Sequence, residues 1–364
     1  MKQKVIQIIA PCWDNKGDRL MIDALYQELG SRYYLPVPLW NMAPASQFWS
    51  PVNFYKMSLQ KGKRFFQTRK HGKPSAFLDA SGYQLGDPWA AMSKALSIRL
   101  LFYQYHKKKG IKLIMLPQSM GPFKDPLAAS NAAGILQLAD LVFVRCEESR
   151  KHALSVGCQE SKLFLAPDYS NMIQPPPLSD PSTWKDVVCL VPSVRMLDKT
   201  PETIKNSYIE TIQYYIQLIT EKGLTPCFLV HQEEDLFLAR KINAMLNENI
   251  LLIDPEPQEA KQIIGACHTV IASRYHALVS SLSQATPCIG TGWTHKYQSL
   301  FSDYDCKHLL FSSFDVKEKV AESFHNIMDE KKRADIHKKL QQKGDEIRQK
   351  TREMFAKLIE TIEH

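Results

Sequence analysis

Short β-branched apolar runs alternate along the chain with longer stretches whose apolar residues recur at helical spacing. This alternation predicts parallel sheets with crossover helices. Val5 to Ala10 reads as a strand and Asp18 to Leu29 as a helix, followed by a strand at Ala76 to Ala80 and a helix from about Ala90 to His106. A strand at Ile111 to Leu116, a helix near Leu127 to Leu138 and a strand at Leu141 to Val144 come next. A short helix in "SRKHALSVG" closes at Gly157, and strand Leu163 to Ala166 leads to Asp168. The pattern breaks at "QPPPLSDPSTWKD", Gln174 to Asp186, where three successive prolines can neither continue a helix nor pair in a central strand.

After this semi-rigid linker the alternation restarts. Strands are predicted at Val187 to Val191, Cys227 to Val230, Ile250 to Ile253, Val270 to Ala272 and Cys288 to Gly290, with helices at Pro201 to Lys222, Glu234 to Leu246, Pro257 to Ala266 and Tyr275 to Ser283. From about Val316 the chain reads as helix, rich in Lys and Glu, packing through one apolar stripe. The expectation is an α/β protein: a Rossmann-like domain over 1–173, a linker over 174–186, a second Rossmann-like domain over 187–312 and C-terminal helices over 313–364, the two domains facing across a cleft.

Length agrees with this division, because 364 residues exceed the roughly 100–200 of one ordinary domain. Hydrophobic residues at 44% and charged residues at 23% describe a globular chain, and no run is apolar enough to suggest a bilayer span. The apolar run near the start is interrupted by Gln7 and is shorter than the roughly 7–15 residues of a signal-peptide core, so a cytoplasmic location is expected. The cysteines, at 12, 146, 158, 189, 227, 267, 288 and 306, form no CxxC pair and several fall in strands, which favours small buried thiols over disulfides or a metal site. Net charge of +8 is modest, and without a recognition motif it gives no ground for a nucleic-acid partner. Lys56 to Lys73, with Phe65 and Phe66 embedded, reads as a solvated face or as a contact for an anionic membrane surface or a phosphorylated substrate.

Ligands of open α/β sheets sit beyond the carboxyl ends of the strands. Arg145, Arg195 and Arg274 all follow predicted strands, and three guanidinium forks suit a ligand with several negative charges. The plainer alternative for each is a local ion pair at the sheet edge. In "VIASRYHALVSSLSQATPCIGTGWTHKY", Val270 to Tyr297, Arg274 and His276 end one strand and Lys296 follows the next, so an anion pocket with a proton donor is expected. In "NKGDRLM", Asn15 to Met21, Gly17 permits a tight turn and Asp18 either caps the helix or acts on a sugar hydroxyl. In "LPQSMGPF", Leu116 to Phe123, Gln118 and Ser119 supply polar groups in a loop after a strand. Asp303 and Asp305 have the spacing of an acidic metal pair, but no His/Cys/carboxylate cluster supports a metal, and none is expected.

These motifs in this order, together with "VRCEESRKHALSVG", "APDYS" and "PSVR", resemble the polysaccharide pyruvyl transferase family to about Ser302. The resemblance implies a GT-B-like pair of Rossmann-like domains and transfer of a pyruvate unit from phosphoenolpyruvate to two hydroxyls of a sugar, forming a cyclic ketal without a further cofactor. It implies that Arg145, His276 and Lys296 hold or act on phosphoenolpyruvate; by position Arg274 and Arg195 join them. His276 and Asp18 are the expected catalytic groups, with Asn15, Gln118 and Asp79 on the acceptor side. The acceptor would be a saccharide of the cell envelope, lipid-linked or free, at the inner face of the membrane. One departure stands out: the glycine-rich turn after the second major strand reads "DASGYQLGD", Asp79 to Asp87, with Ala80 and Ser81 in place of glycines, which bears on the acceptor. Two rivals remain: a nucleotide-sugar glycosyltransferase using Asp254 or Glu256 on the ribose, and a non-catalytic scaffold of a polysaccharide assembly system.

Overall fold

A computed structural model describes residues 3–9, 15–37, 72–246, 249–292, 294–311 and 317–364. The basic run from Lys56 lies outside the described residues except for its end at Gly72 and Lys73, as does Cys12. The chain packs as two compact units that are not continuous in sequence: residues 1–14, 21–169 and 350–364 form one, residues 15–20 and 170–349 the other.

The first unit holds β1 (Lys4–Ile9), α1 (Lys16–Leu29, its opening turn belonging to the second unit), β2 (Tyr33–Tyr34), β3 (Pro74–Asp79), α2 (Ser93–Lys107), β4 (Lys112–Gln118), α3 (Pro126–Leu138), β5 (Leu141–Val144), α4 (Glu147–Ser155) and β6 (Leu163–Leu165). Its strands are all parallel in the order β2-β1-β3-β4-β5-β6. The second unit holds β7 (Val187–Val191), α5 (Arg195–Asp198), α6 (Glu202–Glu221), β8 (Thr225–Leu229), α7 (Glu233–Leu246), β9 (Leu251–Ile253) and α8 (Pro257–Ala266). β10 (Thr269–Ala272), α9 (Tyr275–Ser283), β11 (Cys288–Thr291), α10 (His295–Asp303), β12 (Leu310–Phe311), α11 (Lys317–Met328) and α12 (Glu330–Glu363) complete it, except that the end of α12 packs in the first unit. Its parallel order is β12-β11-β10-β7-β8-β9, with the direction of winding reversing between β7 and β10.

Helices cover the faces of both sheets, so their central strands are apolar throughout instead of alternating: every residue of β5, β7 and β10 is buried. The seven described cysteines are all buried and unbridged, and three of them, Cys189, Cys227 and Cys288, lie in strands. The prolines of the linker give way to residues that pack, Leu178 and Trp184 lying against the core of the second unit.

One local difference from the sequence pattern has an identifiable cause. The helix expected from about Ala90 begins at Ser93, because Asp87–Met92 forms a 3₁₀ turn carrying Pro88, and the Asp87 carboxylate accepts the backbone N–H groups of Lys124 and Asp125 at 2.9 Å. Lys296, after the strand and turn, lies in the first turn of α10, whose apolar side buries Tyr297, Leu300 and Phe301. Arg195, beyond the end of β7, opens the short helix α5. No helix among the described residues is long and apolar enough to cross a membrane.

Candidate active site

In the second unit the residues of interest gather at the carboxyl edge of the sheet. β10 ends at Ala272 and α9 starts at Tyr275; the adjacent β11 ends at Thr291 and α10 starts at His295; β8 ends at Leu229 before His231 and Gln232. The opening turn of α1 packs here as well: the Lys16 N–H donates to the His231 carbonyl at 3.3 Å, and Asn15 bridges Gln232. The sequence places Asn15 on the acceptor side and leaves Asp18 either to cap the helix or to act on a sugar hydroxyl. The cap is Asn15, whose Oδ1 accepts from the backbone N–H of Gly17 at 2.9 Å and of Asp18 at 3.4 Å. Asp18 is buried in the first turn of the helix.

Gly17 does not serve a tight turn; it lies within α1. A Cβ built there would fall inside the van der Waals envelope of the His276 ring, on Cγ and Nδ1, so the missing side chain is what admits the imidazole. His276 is itself buried in the first turn of α9, edge-on to Tyr275 with ring centroids 5.4 Å apart. Lys296 Nζ lies 5.2 Å from the centroid of the Tyr275 ring and 5.3 Å from that of Tyr297. Tyr275 thus stands beside both His276 and Lys296. Tyr297 is held by its hydroxyl, which donates to the Ser273 carbonyl at 2.9 Å, tying α10 to the end of β10.

Arg274 is occupied within its own unit. Its Nε donates to Asp235 Oδ2 at 2.7 Å, its Nη2 to Asp235 Oδ1 at 2.5 Å and its Nη1 to Gln232 Oε1 at 2.7 Å. Asp235 is fully buried and also accepts the Val194 N–H at 3.0 Å, so this fork fastens the loops after β7, β8 and β10 together. Arg195 pairs with Asp198 and Glu234. Asp254 and Glu256, the acids offered for a ribose, pair with Lys16 and Arg19.

The sequence reading missed His231, Lys16 and Asp235. His231 directly follows the β8 run, so the rule that singled out residues after strands applies to it equally. The imidazole is buried, and burial first, then its neighbours His276, Arg274 and Lys16, hold its pKa well below the usual histidine range. A neutral imidazole therefore stands among cations. Lys16, His276, His295 and Lys296 all lie in the first turns of helices. There the helix dipole disfavours positive charge and favours an anion, so the edge is electropositive by both side chains and backbone.

The first unit carries a second group at its own carboxyl edge. Asp79 ends β3, Gln118 ends β4 and Arg145 follows β5, three neighbouring strands. Asp79 is buried, with Oδ1 accepting from the Ser81 N–H at 3.0 Å and the Ser81 hydroxyl at 2.5 Å, and Oδ2 from the Tyr103 hydroxyl at 2.7 Å. Ser81 therefore replaces a glycine with a function: it seats the carboxylate that shapes the turn. Gln118 Oε1 receives a long contact of 3.4 Å from Ser81 Oγ, while its Nε2 and the neighbouring Ser119 Oγ are buried without a hydrogen-bond partner among the described residues. Arg145, buried, forms an ion pair through Nη2 with Asp168 at 2.6 Å and donates to Met21 Sδ at 3.3 Å. Each of the three arginines thus faces an acid of its own unit. Among the described residues no group of three or more His, Cys, Asp or Glu side chains is arranged to hold a metal.

Solved structures similar over nearly the whole chain share this fold at low identity. The UDP-GlcNAc 2-epimerase of Neisseria meningitidis bound to UDP-GlcNAc is 14% identical, with 99% of this chain and 100% of that one covered and a TM-score of 0.57. The Anabaena protein HepE in complex with UDP-glucose is 11% identical, with 98% and 99% covered and a TM-score of 0.61. The trehalose 6-phosphate synthase of Burkholderia multivorans is 9% identical, with 100% and 98% covered and a TM-score of 0.56. Two parallel six-stranded sheets flanked by helices, in a chain that matches such structures end to end, make this a GT-B-like protein of two Rossmann-like units. The sequence from residue 15 to 295, which runs from the cap of α1 to the first turn of α10, matches the description of polysaccharide pyruvyl transferases, and the chain belongs to that family.

Proposed function

We propose that the protein transfers a pyruvate unit from phosphoenolpyruvate to two hydroxyls of a saccharide of a cell-surface polysaccharide or its precursor, forming a ketal. The observation that carries the reading is the pairing of His276 and Lys296 around Tyr275 at two successive helix N-termini. Phosphoenolpyruvate brings a carboxylate and a phosphate beside one protonatable carbon, which matches an electropositive edge holding an imidazole.

In this scheme His276 gives a proton to the methylene carbon and C2 becomes oxocarbenium-like. A sugar hydroxyl adds to C2, its proton passing to Asp18 or back to His276. The C2–O bond to phosphate then breaks, and the second hydroxyl closes the ketal while its proton leaves with phosphate. Lys296 balances the charge that gathers on the departing phosphate, the kind of fixed electrostatics that commonly contributes most to rate. Arg274, fastened to Asp235, acts chiefly by keeping the three loops in register.

Calorimetric titration of phosphoenolpyruvate into the wild type and a Lys296→Ala variant tests the reading. Binding by the wild type that the variant loses supports it. Stabilisation by UDP-glucose, a ligand of the Anabaena relative, with no response to phosphoenolpyruvate, would replace it with a glycosyltransferase.

A further inference from the structure

Helix α2 is apolar on two opposite sides. Its inner side buries Leu96 and Tyr103, and Phe102 stacks on Phe77 of β3 with ring centroids 5.2 Å apart. Ile98, Leu101 and Tyr105 follow at the spacing of one face and are nevertheless exposed, at 70%, 64% and 57%. A surface helix ordinarily fills such positions with polar residues. A contiguous outward row of this kind marks a contact surface.

Charge identifies what the surface suits. Lys94 stands one turn before Ile98 on the same face, and Lys108 and Lys109 stand one turn after Tyr105; all three lysines are exposed. Lys109 Nζ lies 3.9 Å above the Tyr105 ring and donates to its hydroxyl at 2.5 Å. Lys73, exposed at the start of the strand segment leading into β3, lies close enough to add its charge to that of Lys109 around Tyr105. From Ser93 to Lys109 there is no Asp or Glu, and the two remaining cations are directed inward and sideways, Arg99 to Gln84 and Asp79, Lys107 to Asp140. Two copies of this face set against each other would bring lysine onto lysine at both ends, so self-association is disfavoured.

We propose that the outward face of α2 is a docking surface for an anionic lipid bilayer, with Ile98, Leu101 and Tyr105 entering the headgroup boundary and Lys94, Lys108, Lys109 and Lys73 meeting lipid phosphates. Apolar side chains flanked by long basic ones, with a tyrosine at the polar boundary, satisfy both layers of such an interface. Attraction to the lipid charge acts over about one Debye length and weakens with salt. The proposal concerns this helix and does not depend on the donor the enzyme uses.

The test is co-sedimentation of the full chain with vesicles of phosphatidylcholine alone or mixed with phosphatidylglycerol, at low and high salt. The wild type is expected to sediment with the anionic vesicles and to be released by salt, and Ile98→Glu/Leu101→Glu to partition roughly tenfold more weakly or worse. A second variant, Lys94→Glu/Lys108→Glu/Lys109→Glu, reaches the same face by charge alone and is expected to behave likewise. Thermal melting of both variants at the wild-type temperature establishes that they fold, as exposed substitutions should. Wild-type protein that ignores anionic vesicles, or binding unchanged in both variants, overturns the proposal. So does concentration-dependent dimerisation that the variants abolish while vesicle binding persists.

Discussion

Gly17 and His276 share one volume: the ring of the histidine occupies the space in which any side chain at position 17 would have to lie. The two residues are far apart in sequence, one in the first turn of α1 and the other in the first turn of α9, and they fit because glycine leaves room.

Gly17→Ala is therefore expected to displace the imidazole while sparing the fold. Alanine favours a helix over glycine by about 1 kcal/mol, which offsets part of the cost of moving a side chain. If His276 is the proton donor proposed above, turnover should fall by about tenfold or more, as a small misplacement of a reacting group commonly does. The melting temperature should move by only a few degrees. An unmoved His276 in a crystal structure of the variant, with full activity, would refute the account.

Asp235 and Arg274 form a buried pair in which losing one partner strands the other's charge. Asp235→Ala is expected to cost about 3–5 kcal/mol in urea unfolding. It also deprives the Val194 N–H of its acceptor, which adds to the loss. A cost under about 1 kcal/mol, the range of exposed pairs, would show that the site is wetter than its burial implies.

Asn15 and Asp18 separate structure from chemistry within one helical turn. Asn15→Ala removes the cap and should lower stability by about 1 kcal/mol. Asp18→Asn keeps the size of the side chain and leaves the cap in place. If Asp18 serves the acceptor hydroxyl, turnover falls with stability nearly unchanged, and steady-state kinetics beside thermal melts of the two variants reads the difference.

Histidines with lowered pKa are expected to make the protein acid-sensitive, His231 and His268 above all. His231 is kept neutral by burial and then by its cationic neighbours, and His268 is pushed down to about 4 by burial and then by Arg333. In the unfolded chain both take up a proton near pH 6.5. The unfolded state thus binds more protons below that pH, so stability is level above it and falls as pH drops towards about 5. The share from His268 stops growing near pH 4, where the folded state takes up the proton as well. Urea midpoints measured from neutral pH downwards should show the fall, and His231→Gln should flatten it; an unchanged slope would deny His231 its neutral state.

Much of the architecture was legible in the amino-acid sequence because periodicity is a local property. The bounds of β5, β7, α8 and α9 came directly from apolar runs and their flanking residues, and the rule about strand ends picked out His276, Lys296 and Arg274. Motif order pointed to the family. Side-chain partners were not legible in this way. Arg274 after a strand looks the same in sequence whether it awaits a ligand or already grips Asp235, and Asp79 looks the same whether it faces a sugar or seats Ser81 and Tyr103.

Composition and apolar spacing were sufficient for two parallel α/β sheets, since each strand and helix buries its own stripe wherever the chain goes next. What required the folded chain is everything that depends on elements remote in sequence occupying the same place: the opening turn of α1 packing with the second unit, the glycine that makes way for His276, and the neutral His231 among cations. Burial and charge neighbourhood are set by three-dimensional packing, and no local pattern encodes the distance between residues 17 and 276.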